Sequence, residues 1–145
     1  MPPVHHRSLA VTAAAGALMF GATACEKPTP LVTAFSGSSV AQGHAQVWCH
    51  PGQKFEAGKC AGNPNAPAKV VRVAGNDSIG IDVDAELVEH GWYVATKDNR
   101  SDIQREHFYR LPLGLQTQGA LNLRVVALDE NNKPRGVWLF TVVPK

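Results

Sequence analysis

The chain has 145 residues and carries 14 Lys and Arg against 12 Asp and Glu, a formal net charge of +2. Basic and acidic residues are interspersed along its whole length, which excludes the clustered cationic face or stripe with which proteins bind nucleic acid. A chain of this size supports one hydrophobic core and is too short for two.

Residues 1–8 offer only Arg7, His5, His6 and the terminal amine as positive groups, and residues 9–20 form an unbroken apolar or small-residue run. This is the layout of a signal peptide, assigned to residues 1–24. The run falls short of the roughly 20 apolar residues that a spanning helix requires, and no stop-transfer pattern follows it. Ala22-Thr23-Ala24-Cys25 resembles the lipobox read by bacterial lipoprotein processing enzymes, with Ala22 where Leu is usual. Cys25 is accordingly the expected lipid-bearing residue. The same bond would also serve an ordinary secretory signal with an A-x-A site, which would leave Cys25 as a free thiol. An unpaired N-terminal thiol is a liability in an oxidising compartment, and that favours lipidation. The expected address is the extracytoplasmic face of the cell membrane, with the membrane engaged through the N-terminal lipid.

The three cysteines, Cys25, Cys49 and Cys60, make an odd count for an exported protein. With Cys25 acylated, Cys49 and Cys60 are left to pair across the turn-rich loop 50–59. Closing a loop of this length would stabilise the fold by about 3 kcal/mol in the chain-entropy model. Two free thiols or a metal site are the competing readings. Loss of residues 1–24 removes only Arg7 from the charged set, so the side-chain charge falls from +2 to +1. Residues 25–30, with Pro28 and Pro30, read as a stiffened tether, and residues 31–145 as the domain it carries.

Beyond the tether the dominant period is two, with β-branched and aromatic residues between turn signals. Strands are predicted over 31–35, 44–49, 69–74, 78–83, 91–96, 106–111, 120–128 and 136–143, which is an all-β antiparallel sandwich of about seven or eight strands. Ser36-Gly37-Ser38-Ser39 reads as a turn. Between Asp82 and His90 the period changes: Ala85 to Gly91 would form one short connecting helix, with Asp84 as N-cap and Gly91 as its stop. Such a turn would carry the chain from one sheet to the other and deliver Trp92 into the core. Trp48 and Trp138 sit in predicted strands and take the same packing role, since aromatics bury large areas; a stacking platform for sugar is the sharper alternative. The charge-rich segment 97–106 cancels its own charge and reads as a solvated loop. The last pair, 120–128 and 136–143, is an antiparallel hairpin whose long turn leaves register to the buried faces.

Three separated motifs then suggest a relationship. Ala24-Cys25-Glu26-Lys27-Pro28-Thr29-Pro30, the run Ile79-Gly80-Ile81-Asp82-Val83-Asp84 followed by Gly91-Trp92, and the closing Gly136-Val137-Trp138-Leu139-Phe140-Thr141 resemble an actinobacterial lipoprotein family known as domain of unknown function 2771. The resemblance covers nearly the whole chain. It implies an exported, lipid-anchored, Ig-like domain, and it brings no established activity; none of its motifs is a catalytic signature.

The residues themselves support no catalytic assignment. No G-x-S-x-G accompanies the serine cluster, whose nearest bases are His44 and His50, and neither of the Gly-rich phosphate-binding patterns occurs. Asp82, Asp84, Glu86 and Glu89 are numerous enough for glycoside hydrolysis, yet surface acids on a strand and turn account for them. An envelope-associated hydrolase is therefore the remotest alternative. Metal binding is the chemistry most worth testing: His44, His50, His90 and His107 stand beside Cys49, ligand types that zinc and copper sites use. Their spacing matches no site, and both methionines, Met1 and Met19, lie in the signal segment, so no blue-copper ligand set remains. Four scattered surface histidines are the favoured reading, with no metal and no cofactor. The function expected is a non-catalytic binding or interaction module for a protein or small-ligand partner, acting through a sheet face, an edge strand or the loops 61–67 and 97–105. A metal- or small-ligand-binding exported lipoprotein is the alternative.

Overall fold

Strand β1 (Leu31–Ser36) opens a series that continues with β2 (Ser39–His44), β3 (Val47–Trp48), β4 (Lys69–Val73) and β5 (Ser78–Val83). The short helix α1 (Ala85–Val88) follows, then β6 (Trp92–Ala95), β7 (Phe108–Pro112), β8 (Leu121–Leu128) and β9 (Pro134–Pro144). The structure is a computed structural model that describes residues 27–75, 77–113 and 119–145; the expected signal segment and Cys25 lie outside them. Among the described residues no helix is long and apolar enough to cross a membrane.

The strands form two sheets packed face to face, an Ig-like β-sandwich. One has the order β2-β1-β5-β7 and the other β3-β9-β8-β6, with β4 also on β9. The period of two decides which side chains meet between them. In β1, Val32, Ala34 and Ser36 are buried while Leu31, Thr33 and Phe35 are half-buried on the other face. In β9, Gly136, Trp138, Phe140 and Val142 face inward along one unbroken alternation. Ile79, Ile81, Leu123 and Val125 complete the layer, all without exposed surface. Trp92 and Trp138 are likewise fully buried and Trp48 nearly so, so all three tryptophans are core side chains. Both fully buried indole nitrogens find a carbonyl: Trp92 Nε1 donates to Glu106 O at 2.9 Å and Trp138 Nε1 to Pro30 O at 3.0 Å.

Four features depart from the sequence-based expectations. First, β2 is a strand that periodicity does not reveal, and the strand predicted over 44–49 shrinks to Val47–Trp48. β2 pairs with β1 from Leu31↔His44 to Ser36↔Ser39 around the predicted turn, which brings the described strands to nine. Second, the pairing is not wholly antiparallel. β3 runs down β9, the chain reverses in the disulfide loop, and β4 climbs beside the same strand in parallel, from Lys69↔Phe140 to Val73↔Pro144. Third, Asp84 precedes α1 as expected but makes no side-chain bond to it; its carboxylate instead accepts the Leu31 N–H at 2.7 Å and ties the helix to the start of β1. Gly91 does end the turn, at φ 92°, where a Cβ would lie 2.6 Å from Ile103 Cγ2. Fourth, segment 97–105 is not a free loop. It folds back along β6, where Gln104 N–H donates to Trp92 O at 2.7 Å and Ser101 N–H to Val94 O at 2.8 Å, and so covers a sheet edge.

Candidate functional site

One end of the sandwich gathers most of the polar side chains that the sequence singles out. β1 starts there, β3, β5 and β8 finish there, and β9 leaves from it, so the disulfide loop, α1 and the turn 129–133 all share that end. Cys49 and Cys60 form the expected disulfide, with Cα atoms 4.7 Å apart. Its loop is fixed at both stems: Cys49 N–H donates to Arg135 O at 2.9 Å, and Trp48 N–H to Ala61 O at 2.8 Å. Arg135 completes the brace, since its Nε donates to Cys49 O at 2.9 Å while its guanidinium carbon lies 4.1 Å from the centroid of the Trp48 ring.

Between this loop and the turn after β8 runs an open cleft of about 610 Å³, bordered by Lys54, Phe55, His90, Asp129, Lys133 and Arg135. The turn is built by Asp129, whose Oδ1 accepts the N–H groups of Asn131 at 2.8 Å and Lys133 at 2.9 Å. The Lys133 N–H is the main cause holding the Asp129 carboxyl below the ordinary aspartate range, opposed by partial desolvation and helped by the Asn131 N–H. That carboxylate thus serves its own turn. Phe55 is 41% exposed on the loop, and Lys54 precedes it.

The residues 27–30, read from sequence as part of a tether, lie against the same end. Lys27 Nζ pairs with Glu86 of α1. Thr29 Oγ1 accepts the Ala45 N–H at 3.0 Å, and Pro30 O accepts from Trp138.

The candidate metal ligands are not brought together. His44 Nδ1 lies 3.0 Å from Thr29 O, His107 Nδ1 2.9 Å from Val83 O, and His90 Nε2 3.8 Å from Glu89, while His50 is exposed on the disulfide loop. Cys49 is disulfide-bonded and offers no thiolate. Among the described residues no three His, Cys, Asp or Glu are grouped to hold a metal ion. The serine cluster fares no better as a nucleophile site: Ser36 is buried, Ser39 Oγ accepts the Arg72 N–H at 2.9 Å, and His44 stands at the opposite end of β2. Of the acids considered for hydrolysis, Asp84 and Glu86 are held by Leu31 N–H and Lys27.

A second surface was not legible in the sequence. On the outer face of the four-stranded sheet Val40 stands opposite Phe35, and Phe35 stacks on Phe108 with centroids 6.0 Å apart. Gly80 of β5 lies beneath the two rings, and a Cβ there would fall 2.5 Å from Phe35 and 3.0 Å from Phe108. The signal was the glycine between two β-branched residues in Ile79-Gly80-Ile81, which marks a close approach on a strand.

No protein-family model matches the chain, and no curated protein matches it. Among solved structures it is similar to a fibronectin(III)-like module of Clostridium thermocellum CbhA, at 18% identity and a TM-score of 0.43, over 56% of this chain and 92% of that one. The fold described above rests on the two sheets themselves.

Proposed function

We propose that this chain is an exported, lipid-anchored envelope protein whose β-sandwich is a non-catalytic binding or interaction module on the extracytoplasmic face of the membrane. The observation that carries the reading is the Cys49–Cys60 disulfide. A disulfide fits an oxidising compartment, and its formation leaves Cys25 as the one remaining cysteine of the three, directly after Ala22-Thr23-Ala24. Lipid on Cys25 gives that odd residue a role. The non-catalytic part of the reading is supported by what the polar side chains already do: His44, His107, Asp84, Glu86 and Cys49 each make a contact within the fold.

The test is fractionation of cells expressing the full chain. Wild type is expected in the membrane fraction with an acylated N-terminal peptide; Cys25→Ala is expected to abolish acylation and membrane retention, and globomycin to accumulate the uncleaved precursor. A wild-type N-terminus free of lipid would sink the anchor. Crosslinking in cells followed by mass spectrometry then asks for a partner, and recovery of turnover on a panel of envelope substrates would reverse the non-catalytic assignment.

A further inference from the structure

Resting on lipidation at Cys25, we infer that the sandwich stands on the lipid surface through the end that carries the Cys49–Cys60 loop, with Phe55 as its apolar contact at the interface. Chain length limits the alternatives. Lys27 is paired with Glu86, and Thr29 and Pro30 are bonded to Ala45 and Trp138, so the chain from Lys27 onward belongs to the domain. Only two residue steps separate Cys25 from Lys27. Fully extended they span about 7 Å, less than the thickness of a headgroup layer together with one strand spacing. A lipid at Cys25 therefore leaves no room for the domain to stand away from the bilayer. The end that bears Lys27 is the end that meets it.

At that end the disulfide loop lies outside the paired strands. Cys49 is bonded to Arg135 near the start of β9, and residues 50–59 lie beyond that last pairing. The loop presents Phe55, 41% exposed, beside Lys54. An aromatic ring next to a long cationic side chain suits the boundary between headgroups and acyl chains. The other large apolar side chains with exposed surface, Val40, Val70, Ile103 and Phe108, lie along β2, β4, the cover on β6 and β7.

Charge gives this contact little help. Lys27 and Lys59 are paired with Glu86 and Glu56, and Asp129 and Glu130 lie beside Lys133. The covalent lipid supplies the affinity, and the loop sets the orientation. Tethering makes a weak contact sufficient, because a short linker holds the loop at an effective concentration on the order of mM or more.

The three native tryptophans are buried, which makes an introduced one readable. The lipidated full chain is reconstituted into phosphatidylcholine and phosphatidylglycerol vesicles with or without bromine on the acyl chains. Phe55→Trp is compared with Val40→Trp, an exposed position near the opposite end of the sandwich, and the parent protein's signal is subtracted. The expected result is at least twofold stronger quenching by brominated lipid at Phe55→Trp than at Val40→Trp, unchanged in high salt. Equal quenching at both positions, stronger quenching at Val40→Trp, or none at Phe55→Trp in protein that floats with the vesicles would overturn the docking while leaving the anchor intact. Protein that does not float at all would overturn the anchor, and the docking with it. Circular dichroism of both variants checks that each is folded.

Discussion

Gly136 sits between two indoles. It is the β9 residue that pairs with Trp48, and a Cβ built on it would lie 2.6 Å from Trp48 Cε3 and 2.9 Å from Trp138 Cζ3. Those two rings meet with centroids 5.7 Å apart, and Trp48 is pinned from outside by Arg135, so neither can withdraw without breaking another contact. Overpacking of this kind costs about 1–3 kcal/mol. Gly136→Ala is therefore expected to lower the unfolding free energy by that amount, read as a lower urea midpoint with the m-value unchanged. A midpoint equal to wild type would mean that the indole pair is softer than its contacts imply. Gly136-Val137-Trp138 is thus a packing motif with no chemistry in it.

At the level of elements, alternation was sufficient wherever β-branched and aromatic residues carried it. β5 matches its predicted bounds, and the hairpin of β8 and β9 forms with pairs from Leu121↔Val142 to Ala127↔Gly136. The unforeseen strand, β2, reads Ser-Val-Ala-Gln-Gly-His, a composition with one β-branched residue and a glycine, and it is held as a strand by β1. Tertiary pairing overrode weak local preference there. The parallel entry of β4 and the cover on β6 were illegible for another reason: main-chain bonds make them, and main-chain bonds leave no side-chain pattern. The disulfide, by contrast, followed from cysteine count and address. Its removal tests how much the loop contributes. Replacing both cysteines by alanine is expected to cost about 3 kcal/mol, the chain-entropy figure for a short loop. Because Cys49 follows directly on the two-residue β3, the loss is expected to include protection of the Trp48 and Cys49 amides in hydrogen exchange. A fall in stability with those amides still protected would confine the effect to the unfolded chain.

For the molecule as a whole, the question is whether two sheets behave as one unit. The site at the disulfide-loop end was only half legible: its two cysteines pair as the sequence suggests, Lys54 and Phe55 between them read only as part of a turn-rich loop, and Arg135 and Asp129 arrive from β9 and the turn before it, about 80 residues away. The same long-range closure ties the sheets. Pro30, next to β1 of the four-stranded sheet, accepts from Trp138 of the other, and Asp84 joins the helix between the sheets to Leu31. Trp92, on the five-stranded sheet, stacks edge-on to Tyr109 of β7 in the opposite sheet, with centroids 6.4 Å apart. One buried cluster runs through both layers, from Val32 and Ile81 to Leu123 and Phe140. Neither sheet keeps a covered face if the other leaves. Unfolding with the disulfide intact is therefore expected to be a single cooperative transition. Tryptophan emission reports mainly the five-stranded sheet, because Trp48, Trp92 and Trp138 all lie on it, and far-ultraviolet circular dichroism reports both. The two probes should give coincident urea midpoints; a tryptophan transition that separates from the dichroism transition would mean that the sheets come apart before they unfold.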